Sequence, residues 1–271
     1  MNFTEDFLEE AAIEILQELG YEHIFAPEIS CDGVYPERKD YRDVILEQRV
    51  MDALFRINRD LPAEALEEAF RQIITFNSPM LEENNRYFHK LLTEGIEVSY
   101  QETGHIRTKL AYIVDFDDVG NNEFLAVNQF TIIENEERRP DLILFINGIP
   151  LVVIELKSAS DENVGIAQAY NQIQTYKRDI PSLFNYNAFC VLSDGINAKV
   201  GTITSSEEWF MNWRSIDGTT IEPLSKPQYE VLFRGMLEKY RLLDIIQNFL
   251  LFQESKEEEK DFEGNRIGDK K

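Results

Sequence analysis

One segment constrains the fold of this chain more than any other: Arg139-Pro140-Asp141-Leu142-Ile143-Leu144-Phe145-Ile146-Asn147-Gly148-Ile149-Pro150-Leu151-Val152-Val153-Ile154-Glu155-Leu156-Lys157. Its two apolar runs flank Asn147-Gly148, a dipeptide that accepts positive φ at both positions and so closes a β-hairpin. The second run, Leu151 to Ile154, is apolar at every position, as expected of a central strand covered on both faces. Such a strand needs neighbours in a sheet and helices packed on that sheet. Its charges are then costly, because Asp141 opens the first strand while Glu155 and Lys157 close the second.

Register decides whether those charges meet. A two-residue turn would pair Ile146 with Ile149 and, by alternation, send Asp141 and Glu155 to opposite faces. A three-residue loop, Asn147 to Ile149, would pair Ile146 with Pro150 and set Asp141 opposite Glu155 on one face, with Lys157 following to the same side. We take the three-residue loop. Two carboxylates in a partly desolvated place repel unless positive charge lies between them. Hard oxygen ligands at one point suit Mg²⁺ or Mn²⁺, with the Leu156 carbonyl and waters completing the set. Each of the three residues alone would pass for an ordinary strand-end group, whereas their combination with a hairpin of matching length points to a site.

The rest of the chain supports a mixed α/β core. Thr4 with Glu5 and Asp6 starts a helix whose apolar positions are Phe7, Leu8, Ala11, Ile15 and Leu19, ended by Gly20. Helical spacing predicts further helices over 43–57, from Pro62 to Phe76 and from Pro79 to Leu92. After Gly95 the period falls to two, predicting strands over 96–100, 107–114, 124–133, 142–146 and 151–156. A helix over 165–178, strands over 188–192 and 199–204, and helices over 227–252 follow. This divides residues 1–252 into a helical part (1–95), a sheet core (96–205) and C-terminal helices (206–252), with 253–271 an acidic linker or disordered tail.

Composition narrows the function. No apolar run approaches the ~20 residues of a membrane span, and the acidic start MNFTEDFLEE is unlike a signal peptide, so the expected location is the cytoplasm, with no membrane. Cys31 and Cys190 lack metal-ligand spacing. His23, His89 and His105 lie in unrelated segments without a nucleophile setting, which ranks histidine-based catalysis low. The net charge of −23 argues against strong unaided binding to DNA.

The pairing of Pro140-Asp141 with Glu155-Leu156-Lys157 resembles the PD-(D/E)xK nuclease superfamily. The flanking text RPDLILFINGIPLVVIELKSAS, AYNQIQTYKRDIPSLF and VLSDGINAKVGT, with Trp213 beyond, is similar to the N-terminal endonuclease region of the R subunit of type I restriction-modification enzymes. The resemblance runs from TEDFLEEAAIEILQELGY to LLDIIQNFLLF. It implies a restriction-endonuclease-like fold with a central mixed sheet flanked by helices, and Mg²⁺-dependent hydrolysis of DNA phosphodiesters, with Mn²⁺ as a substitute. Asp141, Glu155 and the Leu156 carbonyl would hold the metal, and Lys157 would orient or activate the attacking water.

Further positions follow from the same resemblance. Gln172 and Tyr176 match a Q-x-x-x-Y element that would contact DNA or support the site, and Glu47 is a candidate for an extra acid near the metal. The partners implied are DNA and the methyltransferase and specificity subunits. ATP would act only in a full-length subunit, since the chain lacks G-x-x-x-x-G-K-[S/T] and residues 253–271 would lead to a missing helicase-like motor. The isolated domain should bind DNA weakly and cut little, through modest basic pairs such as Lys39 with Arg42, Arg138 with Arg139 and Lys177 with Arg178. The alternatives are a stand-alone repair nuclease of the superfamily and a non-catalytic protein-interaction module.

Overall fold

The computed structural model describes residues 5–158, 164–253, 258–260 and 266–269. In chain order the elements are α1 (Glu5–Glu18), β1 (Glu22–Phe25), α2 (Ala26–Ile29), α3 (Glu47–Ile57), α4 (Ala63–Ile73), α5 (Leu81–Glu94), β2 (Ile96–Glu102) and β3 (His105–Ala111). There follow β4 (Phe124–Asn128), β5 (Ile132–Ile133), β6 (Glu137–Arg138), β7 (Leu142–Ile146), β8 (Ile149–Leu156), α6 (Val164–Asp179), α7 (Pro181–Phe184), β9 (Phe189–Ser193), β10 (Ala198–Gly201), α8 (Gln228–Met236), α9 (Lys239–Asn248), β11 (Glu258–Lys260) and β12 (Arg266–Asp269). Thr4, the expected helix start, lies outside the described residues. So does most of the expected tail over 253–271, where β11 and β12 pair as an antiparallel ribbon.

Six strands form one mixed sheet in the order β1-β4-β7-β8-β9-β10. The β1–β4 and β8–β9 pairs are parallel and the remaining pairs antiparallel. The fold is therefore α/β with a central mixed sheet flanked by helices, the restriction-endonuclease-like arrangement. The unbroken apolar run is fully covered: all eight residues of β8 and all five of β7 are buried. α1 lies against β1 and β8, and α6 against β8 and β9. Each fully buried Val, Leu or Ile in this layer contributes about 1.5–3 kcal/mol, enough together to carry a charged group at the strand end.

The hairpin differs from expectation in an instructive way. Its loop has two residues, not three: Ile146 pairs with Ile149, and Asn147 (φ 51°) and Gly148 (φ 79°) both take the left-handed conformation of a turn whose twist suits the strands. A bulge then restores the register, because Phe145 pairs with Pro150 but Leu144 pairs with Val152, leaving Leu151 unmatched. The cause is Pro150, which has no N–H to give the ladder and so belongs at a bulge. The carbonyl freed at Leu151 accepts the Ala188 N–H at 2.7 Å. Beyond the bulge Leu142 pairs with Ile154, so Asp141 and Glu155 come opposite each other after all.

Other boundaries shift for local reasons. The expected helix over 43–57 begins at Glu47, since the Asp43 carboxylate is engaged by the Lys39 and Asp40 N–H groups and the Leu46 N–H donates to the Gly148 carbonyl. The expected strand over 124–133 stops at Asn128, because Gln129 has φ 57° and Ile132–Ile133 turns away to pair with β6. The helix from Pro62 ends at Ile73 rather than Phe76, and the strand expected over 199–204 ends at Gly201. No helix among the described residues is long and apolar enough to cross a membrane.

Candidate active site

The site forms where β7 begins and β8 ends. Asp141 precedes β7, and its Oδ2 accepts the Leu156 N–H at 2.7 Å, tying the two strand ends together. Glu155 is 1% exposed. Its Oε1 lies 2.8 Å from Lys157 Nζ, while its Oε2 is buried without a hydrogen-bond partner among the described residues. Lys157 Nζ also donates to the Leu156 carbonyl at 3.1 Å and comes within 3.7 Å of Glu5 on α1. One ammonium thus serves one buried and one half-buried carboxylate, and one oxygen of the buried Glu155 has no partner among the described residues.

The electrostatics express that deficit. Burial and the neighbouring Asp141 charge push the Glu155 carboxyl up to about 8, against the pull of Lys157 and the Tyr176 hydroxyl. Burial raises Asp141 to about 6, opposed by the Leu156 N–H and Lys157 and reinforced by Glu9 and Glu5. Burial alone would lower the Lys157 ammonium, but Glu155, Asp141 and Glu5 outweigh it and leave the group above its ordinary value. The lysine keeps its proton, then, and the carboxylates compete for a single compensating charge.

Of the remaining sequence candidates, two are brought to this place and one is not. Tyr176 on α6 is 3% exposed, its hydroxyl donates to the Arg139 carbonyl at 3.3 Å, and it interacts with Glu155. Gln172, one turn earlier and half-buried, lies beside the same hydroxyl. Glu47 stands at the other end of the hairpin: it starts α3 beside the Gly148 turn and pairs with Lys39 at 2.6 Å on the surface. The helix that carries it packs against the turn, a full strand length from Glu155.

The acid near the pair comes instead from α1. A cleft of about 710 Å³ runs along this helix to Asp141, and Glu5, Glu9, Glu10, His23 and Arg139 are among its lining residues. Glu9 is held by two amides, its Oε1 accepting from Asn128 Nδ2 at 2.8 Å and its Oε2 from Gln129 Nε2 at 2.6 Å. The left-handed backbone at Gln129 aims that amide, and the Gln129 N–H binds the Asp141 carbonyl. In sequence Glu5 and Glu9 look like solvated helix acids; their four-residue spacing, which sets both on one side of α1, is the one signal that could have singled them out.

The donor set suits a hard divalent cation. Asp141, Glu155 and the Leu156 carbonyl offer oxygen ligands at a point where Lys157 is the one cation among more than one carboxylate, and the unpartnered Glu155 Oε2 is the atom such an ion would satisfy. Among the described residues no group of three or more His, Cys, Asp and Glu side chains is close enough together to hold a metal. Backbone carbonyl and water would therefore complete the shell, as in sites that keep Mg²⁺ partly hydrated.

Residues 2–209 match the sequence family described as the type I restriction enzyme R protein N terminus. The chain is 32% identical over 254 residues to the type I restriction enzyme HindI endonuclease subunit of Haemophilus influenzae, covering 92% of this chain and 24% of that protein. It is 31% identical to the MjaIXP endonuclease subunit of Methanocaldococcus jannaschii, over 93% of this chain and 26% of the relative. The type I restriction enzyme EcoprrI endonuclease subunit of Escherichia coli is 30% identical over 55% of this chain and 48% of its own length. The chain spans about a quarter of the length of the first two relatives.

Proposed function

The chain belongs to the family of type I restriction enzyme R protein N termini, and on that premise we propose that it is the Mg²⁺-dependent DNA endonuclease domain of a type I restriction subunit. The observation that carries the proposal is the facing pair of half-buried Asp141 and buried Glu155, with one ammonium, Lys157, on Glu155 and the other Glu155 oxygen unpartnered among the described residues. An ordinary ion pair would balance its charges. This arrangement is short of one positive charge and lies beside a cleft already rich in carboxylates, which a phosphodiester anion enters only with a cation.

Asp141, Glu155 and the Leu156 carbonyl would hold the ion. When bound, it would neutralise the two carboxylates, make water more acidic and stabilise the charge that develops on the phosphate. Lys157 keeps its proton at Nζ and offers that N–H to a phosphate oxygen or the attacking water. Its own position is fixed by Glu155 and the Leu156 carbonyl. Tyr176 and Gln172 are buried and half-buried, which favours support of the Glu155 carboxylate over direct contact with DNA. Glu9, locked by its two amides, is placed to add a carboxylate on the α1 side.

The wider activity follows from the relatives' printed role as endonuclease subunits of type I enzymes. DNA, methyltransferase and specificity subunits are the partners we infer, with ATP used by other parts of a full-length subunit. The negative net charge fits a domain that relies on those partners to hold DNA. Calorimetric titration of Mn²⁺ into the chain and into a folded Asp141→Ala, Glu155→Ala double variant tests the site. Binding that vanishes in the variant is expected; equal binding, or none in either, would favour a non-catalytic module.

A further inference from the structure

Resting on that nuclease reading, we propose that Arg139 grips a backbone phosphate of the bound DNA strand beside the one that is cut. The cleft along α1 is lined by five acids of that helix, Glu5, Asp6, Glu9, Glu10 and Glu14, yet Arg139 opens into it next to Asp141. Among the described residues no carboxylate pairs with the Arg139 guanidinium, and the side chain is exposed. The basic groups around it are all engaged. Arg138 and Arg178 both close on Asp179 at 2.6 Å, and Lys177 donates to the Ile203 carbonyl and the Gln174 side chain.

Backbone geometry explains the separation. Side chains alternate along an extended chain, so Arg138 turns to Asp179 on α6 while Arg139 turns to the side that Asp141 also takes. Pro140 keeps the residue before it extended, and the Tyr176 hydroxyl holds the Arg139 carbonyl. The guanidinium therefore projects from a backbone fixed two residues from Asp141, about 6.6 Å at the ~3.3 Å rise of a strand. From there its planar fork reaches a phosphate next to the reacting one and can grip two of that phosphate's oxygens. A cation with no acid of its own among the described residues, in a cleft where six carboxylates dominate the lining, is matched to an anion that comes from outside.

Affinity for a short duplex, measured against salt concentration without divalent ions, tests this in the 271-residue chain. Each phosphate neutralised contributes ~0.9 to the slope of log affinity against log salt. Arg139→Gln should lower the slope by about 1 and weaken binding about tenfold at low salt, the scale of one charge-assisted hydrogen bond. Arg139→Lys should keep the slope and recover only part of the affinity, because it keeps the charge and loses the fork. Arg59→Gln, which removes the same charge beside the far end of α3, should leave the slope alone. An unchanged slope in Arg139→Gln, an equal fall in Arg59→Gln, or no duplex binding by the parent chain at low salt would each overturn the assignment. Mn²⁺ calorimetry on the same samples separates the two claims. Intact Mn²⁺ binding with an unchanged Arg139→Gln slope sinks the phosphate contact alone, whereas a changed slope without Mn²⁺ binding sinks the metal-dependent nuclease reading alone.

Discussion

At the turn end of the β7–β8 hairpin, every polar atom of the Asn147 side chain is used: Nδ2 donates to the Ile113 carbonyl and to Asn122 Oδ1, and Oδ1 accepts from the Glu123 N–H and Arg56. At the open end of the same two strands, Glu155 is as deeply buried and leaves Oε2 with no partner among the described residues. Both ends sit in the same apolar layer, so burial does not distinguish them; satisfaction does. The turn end is built to hold the register, while the open end keeps a charge imbalance that costs stability and stays available to a ligand.

The sharpest way to break this contrast is to neutralise each end and compare what is lost. In the assembled full-length enzyme, Asp141→Asn or Glu155→Gln should reduce DNA cleavage ~10³-fold, the scale on which removal of one preorganised electrostatic group acts, while the chain stays folded. A loss below about tenfold would put the chemistry elsewhere. At the turn, Asn147→Ala should lower unfolding free energy by about 5 kcal/mol, since four hydrogen bonds of ~1 kcal/mol are lost and a side chain other than Asn or Gly left at positive φ adds ~1–2 kcal/mol. Urea titration reads this directly, and Mn²⁺ binding by the folded fraction should be unaffected. A cost under ~1 kcal/mol would mean that the turn network is not what holds the register.

Proton linkage sharpens the same comparison. Glu155 is raised in the native state to about 8 from a usual value near 4.5, and Asp141 to about 6 from 3.8. Between those limits the native state holds protons that the unfolded chain has released. Unfolding free energy of the metal-free chain should therefore fall as pH rises from about 4.5 to 8, at a rate of up to ~1.4 kcal/mol per unit for one group. Glu155→Gln should flatten the fall above about pH 7, where Asp141 has largely finished titrating. Saturating Mn²⁺, which binds the ionised carboxylates, should oppose the fall and stabilise the protein more at pH 8 than at pH 6. Thermal denaturation across pH, with and without Mn²⁺, checks all three; a metal-free chain that becomes steadily more stable towards pH 8 would contradict the buried-pair electrostatics.

Much of this site was legible in the sequence because its carriers lie in one hairpin. Asn147-Gly148 marked the turn, the unbroken apolar run marked a central strand, and the acids and lysine stood at its ends. Even so, the facing of Asp141 and Glu155 was reached through the wrong loop length, because a bulge at Leu151 is the consequence of one missing N–H at Pro150 and no periodicity announces it. What stayed hidden depends on contacts across long stretches of chain. β1 has only four residues and an irregular exposure pattern, so it is recognisable chiefly by its pairing with β4. The acids of α1 look like a solvated face until the helix is docked against β8. Glu47 misled for the converse reason, since an acid at a helix start is common and only the docking of α3 against the Gly148 turn shows that it faces the wrong end.

The smallest effect should come from Tyr176, and it tests where the two ends' properties meet. Its ring is buried, and its hydroxyl donates to the Arg139 carbonyl at a long 3.3 Å beside Gln172 and Glu155. Burial and the nearby carboxylates hold the phenol well above its ordinary range, so it remains a donor at any working pH. Tyr176→Phe keeps the apolar packing and removes only that donor, so its cost in stability should be about 1 kcal/mol or less. Because the hydroxyl helps hold the ionised Glu155, losing it should also raise the pH at which Mn²⁺ binds and weaken binding less than tenfold at pH 7. A binding curve that moves in pH while the urea midpoint barely shifts would show that Tyr176 serves the unsatisfied end. A large loss of stability with an unmoved curve would make it part of the structural scaffold, like Asn147.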